Sequence, residues 1–407
     1  MKKLLSILLS VIMAMSVMII PTSVSAKKAK TVPNTYVADW CDNPSIKGIY
    51  VPNKGTVYTY SDSSQTVLRL TKINGKTIIL DKCKRNDEGN DRNIYGYYVR
   101  GSKVYYCFMK ERKKDTLYQF KTVDLNGKNK KTVCSVSSVA DYFDIIGGYG
   151  SGIVFYEIKY DKKKNKVLKT IKMFRYKKVN TLIKFYSPIS FSSINIFGGK
   201  IFYNNKAYDL AKGKSTSYVA KEIYVTKNYM YYINKNNNLK SLDKNGVRRI
   251  VAKNVRYYYC SDNNKTVIYS KLNRDKKEVF YQKTGTNKEI RLCSENDIKN
   301  LVGKSDKNMF VVGTAILHKN KVYFTTSEGE ADKTYGVLVL PDYNVKYSHI
   351  VTVDIKGGTP KIYYKAPYSY EINTYIFNNT FKYNLYDPFD TDTVSYTHLT
   401  LPTICSV

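Results

Sequence analysis

The stretch Asn228-Tyr-Met-Tyr-Tyr232, followed by Leu239-Lys-Ser-Leu-Asp243-Lys-Asn-Gly246-Val-Arg-Arg-Ile250, contains both halves of a unit that recurs along the chain. The first half is a short apolar and aromatic strand. Its anchor residues along the chain are Val57, Val104, Val154, Ile201, Met230, Val267 and Val322. The second half is an Asn-Gly or Asp-x-x-Gly turn, which favours a tight hairpin because Gly and Asn accept a positive φ. A repeated strand–turn–strand unit determines the architecture before any other feature does.

The spacing of the anchor residues predicts a β-propeller. They are separated by 47, 50, 47, 29, 37 and 55 residues, about 44 on average, which is the size of a four-stranded blade. We therefore predict an all-β propeller of about seven (six to eight) four-stranded blades, in which the first half of each unit is an inner, fully packed strand. The short step from Ile201 to Met230 indicates a unit that is either abbreviated or not a blade. Residues 371–383 resemble the start of another strand pair, which either closes the ring or begins an eighth unit.

One short helix is expected outside this pattern. Ser294 can cap a helix that runs through Val302, with Asp297 placed three residues after it. Elsewhere the apolar residues recur with a period of two, as in strands of four to six residues.

The repeat resembles a known family. The stretch Asn228–Ile250, and next best Ser102–Val133, is similar to the tyrosine-rich propeller repeats of proteins secreted by Gram-positive bacteria. That family has no known function and is distantly similar to the YWTD propellers of lipoprotein receptors. The resemblance covers most of residues 50–365, although the YWTD tetrad itself is absent. It implies a propeller with a binding role and supplies no catalytic residues.

Both ends of the chain differ from the repeat region. Residues 1–26 have the positive start, apolar core and small-x-small cleavage pattern of a secretory signal peptide, and the apolar run is too short for a membrane span. Residues 394–407 begin with a stretch whose back-translation, GTC TCT TAT ACA CAT CTG ACG CTG CCG ACG, resembles a sequencing adapter. We therefore expect a single propeller domain over 27–393, truncated at its C-terminus, in a secreted protein with no membrane span in its mature chain. Association with the cell wall is an option that the sequence leaves open.

The composition predicts a strongly basic surface. The chain has 67 basic and 33 acidic side chains and a net charge of +34, or +32 without Lys2 and Lys3 of the signal. An AT-rich genome explains part of the lysine excess, but it does not explain why the acids are half as frequent. A field of this size favours polyanionic partners. The 40 tyrosines fit strands, in which the ring packs and the hydroxyl reaches water or backbone.

The residues that most often carry catalysis or bind metals give little signal. Six cysteines outside the 394–407 tail, at positions 41, 83, 107, 134, 260 and 293, are widely spaced and are interpreted as buried apolar residues, although disulfides are possible. His318 and His349 are interpreted as structural, and the acidic stretches 87–91 and 387–392 as solvated loops without calcium-loop spacing. No cofactor, metal or catalytic residue is indicated.

The strongest candidate for a site is the basic hairpin 159–178. Lysine ammonium groups can act as point charges against a phosphate or sulfate polymer, and Tyr160, Phe174 and Tyr176 can stack on sugar rings. A solvated hairpin in a lysine-rich protein is the alternative. The candidate polyanion-binding residues are Lys162, Lys163, Lys164, Lys166, Lys169, Lys172, Arg175, Lys177 and Lys178.

Three functions remain open from the sequence. The first is a secreted propeller that binds an anionic cell-surface polymer, such as wall teichoic acid or an acidic glycan. The second is an extracellular hydrolase or lyase that acts on polysaccharide with a Tyr, His or carboxylate on the channel face of the propeller. The third is a scaffold for another envelope protein. Export disfavours nucleic acid as a partner, although charge alone would permit it.

Overall fold

A computed structural model describes residues 34–37, 48–61, 64–84, 92–187, 194–260, 265–303, 309–331, 343–367 and 371–386. The predicted signal peptide, the 394–407 tail, both acidic stretches, Cys41 and Cys405 lie outside these residues. None of the helices within them is long and apolar enough to cross a membrane.

Seven of the eight sheets contain four consecutive antiparallel strands each and are named blades 1 to 7 in chain order. Blade 1 contains β2 (Ile49–Val51), β3 (Gly55–Ser61), β4 (Gln65–Lys72) and β5 (Thr77–Lys84). Blade 2 contains β6 (Arg92–Arg100), β7 (Lys103–Glu111), β8 (Thr116–Asp124) and β9 (Lys131–Ser138). Blade 3 contains β10 (Tyr142–Tyr149), β11 (Gly152–Asp161), β12 (Lys166–Arg175) and β13 (Lys178–Ser187). Blade 4 contains β14 (Asn195–Phe197), β15 (Lys200–Tyr203), β16 (Lys206–Asp209) and β17 (Lys214–Ser217).

The remaining blades follow the same order. Blade 5 contains β18 (Lys221–Val225), β19 (Tyr229–Ile233), β20 (Leu239–Asp243) and β21 (Arg248–Ala252). Blade 6 contains β22 (Tyr258–Cys260), β23 (Thr266–Leu272), β24 (Glu278–Thr284) and β25 (Ile290–Ser294). Blade 7 contains β26 (Met309–His318), β27 (Lys321–Ala331), β28 (Tyr343–Asp354) and β29 (Lys361–Lys365). The predicted helix, α1 (Glu295–Val302), follows blade 6, and Ser294 and Asp297 form the expected capping box.

The propeller prediction is confirmed, with one correction to the position of the anchor strand. The seven anchor residues lie in the second strand of each blade, and all are at most 1% exposed. The innermost position belongs to the first strand, because first strands of neighbouring blades contact one another. The second strand is fully packed because it has a strand on either side and a neighbouring blade on each face. The short unit after Ile201 is an abbreviated blade whose strands have three or four residues.

The Asn-Gly and Asp-x-x-Gly turns join the third and fourth strands, as the sequence predicts. In the turn after β20, the Asp243 carboxylate accepts hydrogen bonds from the backbone N–H groups of Asn245 and Val247, both at 2.9 Å. Gly246 has a φ of 88°, a conformation that costs other residues free energy. The side chain at the start of the turn and the glycine near its end therefore fix the hairpin locally.

An eighth sheet of two strands, β30 (Glu371–Phe377) and β31 (Thr380–Tyr386), lies between blade 7 and blade 1. On one side, Phe381 stacks on Tyr323 with ring centroids 4.0 Å apart. On the other side, Phe377 meets the edge of the Tyr58 ring at 5.1 Å, and the Asn378 side chain donates to the carbonyl of Lys72. The predicted extra strand pair therefore joins the two ends of the ring and occupies an eighth blade position.

The strand β1 (Thr35–Val37) pairs with β10, the first strand of blade 3, on the side opposite β11. It also contacts β6 and β14, the first strands of blades 2 and 4. The segment therefore lies at the centre of the propeller. An enzyme on the channel face, as the sequence allows, would have to share this centre with β1.

The described cysteines are free thiols. Cys83, Cys107, Cys260 and Cys293 are buried and Cys134 is half-buried. Burial raises the pKa of the Cys134 and Cys293 thiols to about 12, so both are protonated at neutral pH. The interpretation as small buried apolar residues is confirmed for the four buried cysteines, whereas Cys134 is partly buried and packs against the core.

Candidate polyanion-binding surface

Because neighbouring strands of a blade are antiparallel, the connections between them lie alternately at the two ends of the propeller. End A carries the connections from first to second and from third to fourth strand in each blade, and end B carries the remaining connections. In blade 3, residues 162–165 join β11 to β12 at end B, and residues 176–177 join β12 to β13 at end A. The ten residues of β12 separate these connections by about 30 Å.

The candidate residues predicted from sequence therefore fall into one group at each end of β12 and a middle part. Lys162, Lys163, Lys164 and Lys166 lie at end B, and Arg175, Lys177 and Lys178 lie at end A. Between them, Lys169 is only 2% exposed, on the same face of β12 as Ile171 and Met173, and burial lowers its pKa. Lys172 is ion-paired with Glu157, with Nζ and Oε2 2.7 Å apart. The nine residues thus do not form one continuous strip.

The group at end B is partly engaged within its own hairpin. The Lys164 ammonium donates to the Tyr186 hydroxyl at 3.0 Å and lies 4.1 Å from the centre of the Tyr186 ring. The hydrogen bond to Tyr186 raises the pKa of Lys164. The Tyr160 hydroxyl donates to the side-chain oxygen of Asn165 at 2.6 Å. Lys162, Lys163 and Lys166 remain exposed.

The group at end A is built around an exposed aromatic ring. Tyr176 is 76% exposed, and the Arg175 guanidinium lies 4.6 Å from its ring centre. Tyr176 and Lys177 have φ angles of 52° and 62°, as in the type I′ turns that connect two-residue hairpins. Asn-Gly suits such a turn best, and a bulky aromatic residue at positive φ is an outlier. An exposed, conformationally strained aromatic residue supports a hypothesis of function.

We expect the double substitution Tyr176→Asn and Lys177→Gly to stabilise the protein by about 1 kcal/mol. Each non-glycine residue in the left-handed region costs about 1–2 kcal/mol, and the backbone entropy of the new glycine offsets part of the relief. The measurement is the free energy of unfolding in denaturant. A loss of stability would contradict this and would show that the contact between Tyr176 and Arg175 outweighs the strain.

A larger basic feature appears at end A when all blades are considered together. Each of the seven connections between third and fourth strands contains an exposed lysine. This set, the lysine ring, consists of Lys76, Lys128, Lys177, Lys212, Lys244, Lys288 and Lys356. Because every blade places this connection at the same position, the repeat itself distributes the lysines around end A.

The lysine ring lies in a basic surrounding. From the last residue of each third strand to the first residue of each fourth strand, the seven blades contain fifteen basic and five acidic residues. Among the described residues, the corresponding segments between second and third strands, at end B, contain twelve basic and five acidic residues. Several of the acids at end A are already engaged. Asp124, whose pKa is lowered by its hydrogen bonds to Lys103 and Asn129, pairs with Lys103, and Asp209 accepts from the backbone N–H groups of Ala211 and Lys212.

Sequence reasoning found one member of the lysine ring, Lys177, and missed the other six. The sequence contains the signal, since a lysine lies in or beside each Gly- and Asn-containing turn, but it emerges only when the repeats are compared with one another. A local run of lysines, such as 162–164, is conspicuous in sequence, whereas one lysine per blade becomes a surface only through the fold.

The histidines and acids form no candidate metal site among the described residues. His349 is buried, and burial lowers its pKa below the usual value, with Lys365 acting in the same direction. His318 is half-buried, and its pKa is also lowered by burial. No three His, Cys, Asp or Glu side chains in the described part of the chain converge as a metal site would require.

Comparisons with known proteins return structures alone. No family model matches the sequence, and no curated protein matches it. An uncharacterized protein from Listeria monocytogenes EGD-e has 12% identity and a TM-score of 0.40, with 84% of this chain and 90% of that chain covered. The WD40 domain of SCAP from fission yeast has 8% identity and a TM-score of 0.31, over 75% and 70% of the two chains. TolB from Acinetobacter baumannii has 11% identity and a TM-score of 0.25, over 75% and 80%.

The fold class is therefore defined by the molecule's own sheets. Seven four-stranded antiparallel sheets in sequence order, with first strands in mutual contact and an eighth strand pair between the last blade and the first, make this chain a β-propeller protein.

Proposed function

We propose that this protein is an exported propeller that binds an anionic cell-surface polymer, such as a teichoic acid or an acidic glycan, through end A. The observation that carries the proposal is the lysine ring, with at least one exposed lysine in the same connection of every four-stranded blade. An ammonium group is a compact point charge that contacts phosphate, sulfate or carboxylate without demanding one geometry. Cations distributed around one end suit a ligand whose charges are also repeated.

The proposal does not depend on any single tight contact. Exposed ion pairs are individually weak because water and salt screen them. A polymer that contacts several lysines at once gains from effective concentration, since each contact after the first is intramolecular. The ring therefore fits a long anionic chain better than a small ion.

Aromatic residues near the basic groups favour end A as well. Phe174 is buried and Tyr160 is engaged with Asn165 at end B, so neither has the exposure of Tyr176. Tyr176 presents its ring beside Arg175, Lys177 and Lys178. An exposed ring between cations can stack on the apolar face of a sugar while the cations contact its acidic groups.

We expect binding to purified teichoic acid or heparin to weaken roughly 100-fold or more between about 50 and 200 mM salt. Several basic side chains that contact a polyanion displace its counterions, so the affinity falls steeply as salt rises. The measurement is a binding isotherm at four or more salt concentrations. A neutral glucan of similar length is the matched control and should show no binding at any of them.

Affinity that stays constant over this range would overturn the proposal, because charge-driven contact must be screened. The enzymatic alternative is separated in the same samples by measuring polymer length after incubation. Shortened chains would point to a hydrolase or lyase, and chains of unchanged length leave binding as the activity.

A further inference from the structure

A cavity of about 670 Å³ opens at end A between blades 1 and 2. Its apolar lining comes from Leu70, Ile73, Ile78 and Leu125. Its polar lining includes Asn53, Lys54, Lys72, Asn74 and Asn126. A volume of this size, with an apolar lining and a few polar groups, is typical of small-molecule sites.

Two of the polar residues occupy the same position in neighbouring blades. Asn74 and Asn126 each precede the glycine of the connection between third and fourth strands, in blade 1 and blade 2. The Oδ1 atom of Asn74 accepts from the backbone N–H of Lys76 at 3.2 Å, and that of Asn126 accepts from the N–H of Lys128 at 2.9 Å. Because a backbone N–H requires an acceptor, these bonds fix which side-chain atom is oxygen. Each Nδ2 group therefore remains as a donor on a residue that lines the cavity.

The cavity thus offers more donors than acceptors, since its side-chain acceptors are the Asn53 amide oxygen, the Ser102 hydroxyl and the Asp124 carboxylate. Lys54 and Lys72 add two ammonium groups, which can donate and cannot accept. The carboxylate that reaches the cavity, Asp124, is already paired with Lys103 and accepts from Asn129 at 2.7 Å. A complementary ligand must bring acceptor oxygens and a negative charge on a body with an apolar face.

We propose that this cavity binds one acidic sugar unit, a pyranose that carries a carboxylate or a phosphate. The apolar lining contacts the C–H face of the sugar ring, the amide groups of Asn74 and Asn126 donate to its oxygens, and Lys54 and Lys72 pair with its acidic group. This inference rests on the proposed function and names the unit that the anionic polymer presents at end A. The cavity recognises a single residue of the polymer, whereas the lysine ring responds to its overall charge.

The test substitutes Asn74→Asp together with Asn126→Asp and measures binding of glucuronate, glucose 6-phosphate and glucose by titration calorimetry. Aspartate keeps the oxygen that accepts from Lys76 and Lys128 and replaces the donor with an acceptor, so the turns are retained. The matched control is Asn245→Asp together with Asn287→Asp, which makes the same charge change in the corresponding connections of blades 5 and 6. Thermal melting of both variants checks that each remains folded.

We expect at least one of the two acidic sugars to bind the unmodified protein more tightly than glucose does. The cavity variant should lose at least tenfold in affinity for that sugar, and the control should stay within about twofold. Which acid is preferred decides between a uronate and a phosphate unit. Equal losses in the two variants would show that the added negative charge, and not the cavity, lowers the affinity, and this would overturn the proposal. The proposal would also be overturned if neither acidic sugar bound the unmodified protein.

These outcomes are separate from the fate of the proposed function. Salt-dependent polymer binding that survives in the cavity variant, with no monosaccharide bound, would leave the lysine ring as the binding surface and overturn the cavity alone. Polymer binding that is insensitive to salt would overturn the proposed function, whatever the titrations with monosaccharides show.

Discussion

Replacement of all seven lysines of the lysine ring by glutamine is expected to reduce affinity for an anionic polymer roughly 100-fold. An exposed charge pair contributes a factor of about two on average, so seven such contacts together account for a loss of this size. Glutamine retains the length and the solubility of the side chain and removes the charge. The measurement is the dissociation constant for the same polymer at one fixed, low salt concentration.

The matched control removes seven exposed lysines from end B: Lys113, Lys114, Lys162, Lys163, Lys235, Lys276 and Lys277. Both variants lower the net charge from +34 to +27, so a difference between them reports position and not total charge. We expect the control to lose less than about tenfold, through the weaker field of the whole protein. Equal losses would show that net charge governs binding. A larger loss in the control would place the site at end B.

The fold could be predicted from sequence because its signal is local and repeated. Anchors such as Val57 and Val322 lie in strands that are buried on both faces, and such strands appear as short apolar runs. The first strands gave a weaker signal, since β14 and β22 have only three residues each. The pairing of β1 with β10 joins residues more than a hundred positions apart, which no local pattern reveals.

The candidate surface was predictable only in part, for a related reason. Lys169 is one of the candidate residues, but it lies on the face of β12 that carries Ile171, and both side chains are buried. The run 162–166 and the turn 175–178 are close in sequence, but a ten-residue strand holds them at opposite ends. The cavity between blades 1 and 2 needs two turns that are about fifty residues apart in sequence and become neighbours through blade packing.

The packing of one blade against the next holds the turns at end A in place. Between blades 2 and 3, this packing is made largely by aromatic rings. Phe155 from β11 lies 5.0 Å from the ring centre of Phe120 on β8 and 5.0 Å from that of Phe143 on β10. Tyr118 stacks on Phe143 at 3.8 Å. Phe120, Phe143 and Phe155 are at most 2% exposed. Removal of the central ring therefore leaves a cavity that rigid sheets on both sides cannot close.

We expect Phe155→Ala to lower the free energy of unfolding by about 4 kcal/mol, which is a large share of the 5–15 kcal/mol typical of a folded protein. Phe155→Leu refills most of the volume and should cost less than about 1.5 kcal/mol. The measurement is denaturant unfolding of both variants beside the unmodified protein. A loss below about 1 kcal/mol in the alanine variant would mean that the blades can collapse onto each other.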